Sequence, residues 1–226
     1  MKFHILTLFP DFFTSPLQSS VVGKAIEKKI VKVELHNFRD FATDKHNTAD
    51  DYPFGGGAGM ILKPEPIFNC YENLVKNSKS KFHTVFFTPT GKPLNQKKVR
   101  ELKEKENLII LCGHYKGLDQ RVIDELVDEE ISLGDFILTG GEIPALTLVD
   151  SVTRLVPGVL GNIDSANTDS FENEVLDYPH YTRPANFKGI EVPEVLLSGH
   201  HENIKKWRNK KSLEITKKNR PDLLEN

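Results

Sequence analysis

Three glycine-bearing segments stand where backbone atoms could be laid against a ligand: Thr88-Pro89-Thr90-Gly91-Lys92-Pro93, Cys112-Gly113-His114-Tyr115-Lys116-Gly117 and Gly140-Gly141-Glu142-Ile143-Pro144. Glycine has no Cβ and tolerates positive φ, so its N–H and C=O groups can approach a bound molecule closely. Each segment follows a short apolar run. Open α/β sheets take ligands beyond the carboxyl ends of their strands, so the three segments could wall a single pocket. Neither GxGxxG nor GxxxxGK[ST] occurs, which removes the phosphate cradles of dinucleotide enzymes and P-loop NTPases. A pocket that reads its ligand through backbone groups suits an adenine or a nucleoside better than a polyphosphate. The plainer reading of any one segment is a tight turn; three in register count against it.

A fourth loop, Asp50-Asp51-Tyr52-Pro53-Phe54-Gly55-Gly56-Gly57-Ala58-Gly59-Met60, carries more glycine than a turn requires. Tyr52 and Phe54 could stack a base, or could simply pack. Asp169, in a polar stretch near Asp164, is either a solvated turn residue or a general base, and Arg154 precedes that stretch. Metal chemistry finds no support in spacing: the eight histidines form neither HxxxH nor HExxH, and the neighbours His200 and His201 cannot both face one ion from one helix. No metal ligand is therefore expected. No GxSxG nucleophile elbow occurs either.

The elements that must hold these residues follow from periodicity. The first 160 residues alternate apolar runs with amphipathic stretches, which argues an α/β architecture. Strands are expected at Lys2–Phe9, Val31–Asn37, His83–Thr88, Leu108–Cys112 and Phe136–Thr139. Helices are expected at Pro16–Lys29, Pro64–Asn77, Asn95–Glu106, Asp119–Val127 and Glu142–Leu155, and a long basic one at Glu202–Lys218. Leu108-Ile109-Ile110-Leu111 is continuously apolar, as a strand covered on both faces must be. From Gly161 to Asn173 the composition turns to Asn, Asp and Ser, which reads as a flexible linker or an ordering loop between a domain of residues 1–160 and a small helical one of residues 174–226.

The chain has 226 residues, 38% of them hydrophobic and 27% charged, with two cysteines and a net charge of −2. That balance excludes bulk-charge coating of nucleic acid. It also conceals an asymmetry: residues 203–220 hold eight Lys and Arg against Glu214 alone, a net +7, which leaves −9 on the remainder of a −2 chain. The patch is a solvated helix face or a nucleic-acid grip, with Trp207 either a core anchor or a stacking platform. Two cysteines without CxxC spacing argue for a reducing compartment. No apolar stretch of the roughly 18 residues that a membrane span needs occurs, so a cytoplasmic protein with no membrane role is expected.

Together these segments resemble one family, the bacterial tRNA (guanine-N1)-methyltransferases that act at position 37, of the knotted SPOUT class. The resemblance lies in DDYPFGGGAGM (50–60), LCGHYKGLDQRV (111–122), EISLGDFILTGGEIPAL (130–146), TRLVPGVLG (153–161), DSFENEVLDYPHYTRP (169–184) and VPEVLLSGHHENIKKWR (192–208), in order along nearly the whole chain. It implies a Rossmann-like α/β sheet with a deep trefoil knot, followed by a small, mainly helical C-terminal domain that binds tRNA. It further implies a homodimer with the active site at the interface. S-adenosylmethionine is implied at Thr88, Pro89, Gly91, Gly113, Tyr115, Gly117, Ile131, Ser132, Leu133, Gly134, Leu138, Gly140, Gly141 and Pro144. Asp169 is implied as the general base and Arg154 as the group that stabilises charge on guanine O6. Contacts to tRNA are expected from Asp50, Gly55, Gly57, Gly59, Lys205, Lys206 and Arg208. The family's commoner loop has glutamate where this chain has Lys116, and often arginine in place of His114. The glutamate is tied to magnesium, so the reversed charge predicts weaker magnesium dependence here. Two other readings are a knotted methyltransferase for a different base or ribose and a non-catalytic RNA-binding relative.

Overall fold

The computed structural model describes residues 1–76, 78, 80–161, 169–172 and 174–225. They fall into two compact units, residues 1–161 and 162–226. The linker expected at 161–173 lies largely outside the described residues.

The first unit is built on a five-stranded, wholly parallel sheet in the order β2-β1-β6-β5-β7. Its strands are β1 (Lys2–Thr7), β2 (Lys32–Asn37), β5 (His83–Pro93), β6 (Asn107–Leu111) and β7 (Glu129–Ser132). A two-stranded ribbon, β3 (Asp50–Asp51) with β4 (Ile61–Leu62), closes the base of the glycine-rich loop. The central strand β6 is buried along its entire length, which is why its sequence shows no alternation. One face of the sheet presents Leu6, Phe86, Ile109 and Leu111 to a core that includes Ile67 and Cys70 of α3 (Pro64–Val75) and Val122 of α5 (Gln120–Leu126). The opposite face meets α6 (Glu142–Thr153), which contacts β1 and packs beside α2 (Ser20–Glu27) and α4 (Gln96–Lys103). In α6 the buried residues Ala145, Leu148, Val149 and Val152 recur at helical spacing. A four-residue helix, α1 (Thr14–Leu17), precedes α2.

Phe136–Thr139, expected as the fifth strand, is not one; that strand is Glu129–Ser132. The apolar run Phe136-Ile137-Leu138 instead lines a cleft, with Ile137 left 78% exposed. Apolar content without alternation does not distinguish a covered strand from a cleft wall. The expected helix Pro16–Lys29 breaks at residues 18–19 into α1 and α2. The expected end of α3 at Asn77 lies outside the described residues.

The second unit contains a hairpin, β8 (Asn186–Phe187) with β9 (Ile190–Glu191), a short α7 (Glu194–Leu197) and the long α8 (His201–Asn219). Its helix–coil packing is polar at the centre. Buried Ser212 and Thr216 of α8 hold both backbone polar groups of one residue: Ser212 Oγ donates to the Leu176 carbonyl (2.5 Å), and Thr216 Oγ1 accepts from the Leu176 N–H (2.9 Å).

Candidate active site

The site grows from an interruption in β5. Phe87 and Lys92 both register against Ile131 of β7, so residues 88–91 bulge out of the ladder between them. Gly91 is what lets the strand return. A Cβ there would lie 2.4 Å from Ile131 N and 2.6 Å from Glu130 C, inside the backbone of β7. The bulge carries Thr88 and Pro89 into a cavity of about 390 Å³ at the carboxyl ends of β5, β6 and β7.

The second wall is residues 113–117, beyond β6, and the third is residues 131–141, leading into α6. These two walls are stitched together by backbone. Gly141 N–H donates to the Gly113 carbonyl (2.9 Å), and a Cβ on Gly141 would sit 2.6 Å from Cys112 Cα. Tyr115 holds a positive φ of 60°, a conformation a side chain adopts only under constraint, and its ring projects half-exposed into the cavity. Of the residues expected to hold a nucleoside-type cofactor, the structure brings all to this cavity except Gly91. Gly91 serves it from behind, as the close-approach point beneath the bulge.

Sequence reasoning missed a polar network at the back of the cavity. Glu142, 4% exposed in the first turn of α6, accepts a hydrogen bond from Thr7 Oγ1 (2.7 Å) on Oε1. Its Oε2 accepts from His114 Nε2 (2.7 Å). Thr7 Oγ1 in turn accepts from the Phe9 N–H (2.9 Å). The network ties the end of β1, the 113–117 loop and α6 into one unit, and it places a carboxylate where the helix dipole favours it. The residues that meet here are 135 positions apart in sequence, and no local spacing announces them. Ile137 and Phe136 are likewise cavity residues that sequence reasoning had assigned to a strand.

Neither thiol is available for chemistry. Burial pushes Cys70 up to about 12 and raises Cys112 well above the ordinary thiol range, so both stay protonated.

The fourth loop is coupled to the second wall. Lys116 N–H donates to the Met60 carbonyl (3.0 Å), and Leu62 N–H donates to the Gly117 carbonyl (3.0 Å). Gly55, Gly57 and Gly59 all have positive φ, and Tyr52 and Phe54 are 78% and 101% exposed. Packing therefore does not explain those two aromatics within this chain. Asp50 opens the ribbon at the loop's base, opposite Leu62.

Arg154 caps the C-terminus of α6, half-buried, its N–H donating to the Asp150 carbonyl (3.1 Å). Asp169 belongs to the second unit, where its carbonyl accepts the Glu172 N–H (3.4 Å). In that unit Lys205 and Lys206 are exposed on α8, whereas Arg208 lies over the Tyr178 ring, 4.8 Å from its centroid. Trp207 is half-buried 6.4 Å from Tyr181, and both line a cavity of about 500 Å³ with Lys211, Glu214 and Lys218. Trp207 is thus neither a fully buried anchor nor a free platform: it is half-buried beside Tyr181 and borders a groove that also holds Lys211, Glu214 and Lys218.

A parallel sheet whose strand-end loops wall a glycine-lined cavity defines an α/β protein of the class that takes small ligands beyond the carboxyl ends of its strands. The sequence profile of the tRNA (guanine-1)-methyltransferase family, TrmD, matches residues 1–226. A tRNA (guanine-N(1)-)-methyltransferase of Lachnospira eligens is 50% identical over 225 residues, covering all of this chain and 95% of that protein. Proteins of the same name from Bacillus cereus and Bacillus anthracis are 54% identical, covering all of this chain and 92% of theirs. The chain belongs to the tRNA (guanine-1)-methyltransferase family.

Proposed function

We propose that this protein transfers the methyl group of S-adenosylmethionine to N1 of the guanine at position 37 of tRNA. Full-length membership of the family carries the reading, and the cleft supports it. Its volume of about 390 Å³ falls within the range of small-molecule sites. Its walls need glycine to pack on one another: a Cβ on Gly140 would collide with the His114 ring at 2.3 Å, and one on Gly113 would meet Phe86 at 2.9 Å. Thr88, Pro89, Gly113, Tyr115, Gly117, Ile131–Gly134, Leu138, Gly140, Gly141 and Pro144 would hold the cofactor. Bound S-adenosylmethionine supplies an electrophilic methyl group on a sulfonium centre.

This chain's residues then have to make guanine N1 a nucleophile and keep it in place. N1 carries a proton, and Asp169 removes it as general base. The charge that develops on O6 is met by Arg154, a cation that cannot lose its proton. The glycine-rich loop from Asp50 to Gly59, with exposed Tyr52 and Phe54, approaches the anticodon region of the RNA. Lys205 and Lys206 contact phosphates, and Arg208 does so from its seat on Tyr178. The reading includes a homodimer with Asp169 supplied by the partner subunit, a knot threaded through the strand-end loops, and a cytoplasmic location. Lys116 replaces the carboxylate that the family ties to magnesium, so chelation should reduce activity less here than in glutamate-bearing relatives.

The test is methyl transfer from labelled S-adenosylmethionine to unmodified tRNA carrying guanine at positions 36 and 37. Asp169→Ala should abolish transfer while leaving cofactor affinity unchanged. Near-normal single-turnover methylation by that variant would remove Asp169 from the mechanism, and methylation at another nucleotide would overturn the substrate assignment.

A further inference from the structure

The described residues contain one cluster of ligand-type side chains that the reading above does not use. His4 of β1 and Glu34 and His36 of β2 lie on the same face of the sheet, because His4 registers with Glu34 and His36 follows two residues on. His4 Nδ1 is 3.1 Å from Glu34 Oε2 and 3.3 Å from His36 Nε2, and all three atoms lie within 4.8 Å of one another. The His4 side chain is buried and the other two are half-buried.

We infer that His4, Glu34 and His36 form a binding site for a divalent transition-metal ion of the zinc class, clipping the edge strand β2 to β1. The distances fit. Zinc bonds of about 2.0–2.1 Å to imidazole in a tetrahedral site put neighbouring donor atoms roughly 3.3–3.4 Å apart, close to both short separations here. Hydrogen bonding alone satisfies the cluster poorly. His4 Nδ1 faces two acceptor-capable atoms with at most one proton to direct at them, whereas a cation takes the lone pairs of all three at once.

The surroundings are those of a supported ligand set. Lys32 pairs with the other oxygen of Glu34, Oε1, which fixes the carboxylate and leaves Oε2 turned toward the histidines. The His4 ring is buttressed edge-on by Phe82, with centroids 5.6 Å apart. Lys2 and Lys32 bring opposing positive charge, so the donor chemistry must provide selectivity. Two imidazoles and one carboxylate suit zinc, cobalt, nickel and copper, and discriminate against magnesium and calcium, which demand oxygen. Glu34, with a third of its side chain exposed, leaves a solvent-facing position for a fourth ligand such as water. The expectation of no metal ligand came from spacings within single segments, and this set is assembled across two strands 30 residues apart in register.

The full chain, stripped with chelator, is titrated with zinc, cobalt or magnesium salts alone. Isothermal calorimetry should report one zinc per chain, cobalt should give the intense visible bands of a tetrahedral site, and the melting temperature should rise with zinc and not with magnesium. His36→Gln, at the half-exposed edge strand, should weaken zinc binding by at least about 100-fold, beyond the roughly 10–100-fold that loss of an outer-shell partner costs. Glu34→Gln should also abolish the cobalt bands, and it keeps the inference testable if His4→Asn fails to fold. His200→Gln with His201→Gln should leave binding unchanged. The inference is overturned by absence of zinc binding, by unchanged affinity in His36→Gln or Glu34→Gln, or by loss of binding in the His200/His201 variant.

Discussion

Replacing Gly141 with alanine isolates one physical cause. Gly141 has φ −82° and ψ −2°, helical values that alanine adopts without strain, so backbone freedom is not the reason for glycine. The reason is approach. The added Cβ would stand 2.6 Å from Cys112 Cα and 2.9 Å from Gly113 N, where ordinary van der Waals contact begins near 3.4 Å. The 140–141 and 112–113 segments must therefore separate by close to 1 Å, and both are backbone with no flexible end to yield. Overpacking of that kind costs about 1–3 kcal/mol, and weakening the Gly141 N–H to Gly113 carbonyl bond adds roughly 1 kcal/mol. The total, about 2–4 kcal/mol, corresponds to a fall of roughly 4–16 °C in melting temperature for a chain of this size. Both segments wall the cavity proposed for the cofactor, and a misplacement of about 1 Å can cost on the order of 100-fold in rate. Thermal melting, calorimetric titration with S-adenosylmethionine and single-turnover methylation would each report the change. Gly161→Ala is the control, since its Cβ would meet nothing within 4 Å. A Gly141→Ala protein that melts within 1 °C of the parent and binds cofactor equally well would refute the close-approach argument.

Glu142→Ala should destabilise the protein by about 2–6 kcal/mol, because Thr7 and His114 each lose their acceptor in a buried site; Glu142→Gln should cost less, and chemical denaturation distinguishes them. Both cysteines should resist thiol reagents in the native protein. With Cys70 near 12 against an ordinary 9.0, its thiolate population at a given pH falls about 1000-fold, and fast labelling without denaturant would contradict this. Binding of tRNA should weaken with salt, and Lys205→Ala with Lys206→Ala should flatten the log–log slope by roughly 1–2 while leaving the melting temperature unchanged, since both side chains are exposed. A slope identical to the parent's would return the basic helix to a solvated face.

Much of the architecture was legible locally. The unbroken apolar run of β6 and the i, i+3, i+4, i+7 stripe of α6 follow from what each element must bury, and those requirements are written into neighbouring residues. The strand-end cavity was legible in part, because the glycines of its walls leave a compositional trace, whereas its apolar lining residues were implied only by the family resemblance. Phe136–Thr139 misled for the opposite reason: its apolar side chains answer to a cleft, and a four-residue run has no period with which to say so.

Sequence alone determined that the chain is an α/β protein, where its glycine-bearing strand-end loops lie, and which family it resembles. Tertiary structure decided that Gly91 works beneath the cavity, that Glu142 joins Thr7 to His114, and that His4 faces Glu34 and His36. Each of these depends on strand register and helix docking between residues far apart in the chain. Local conformational preference is set by covalent neighbours and can be read from them. The meeting of distant side chains is set by which surfaces the whole sheet must cover.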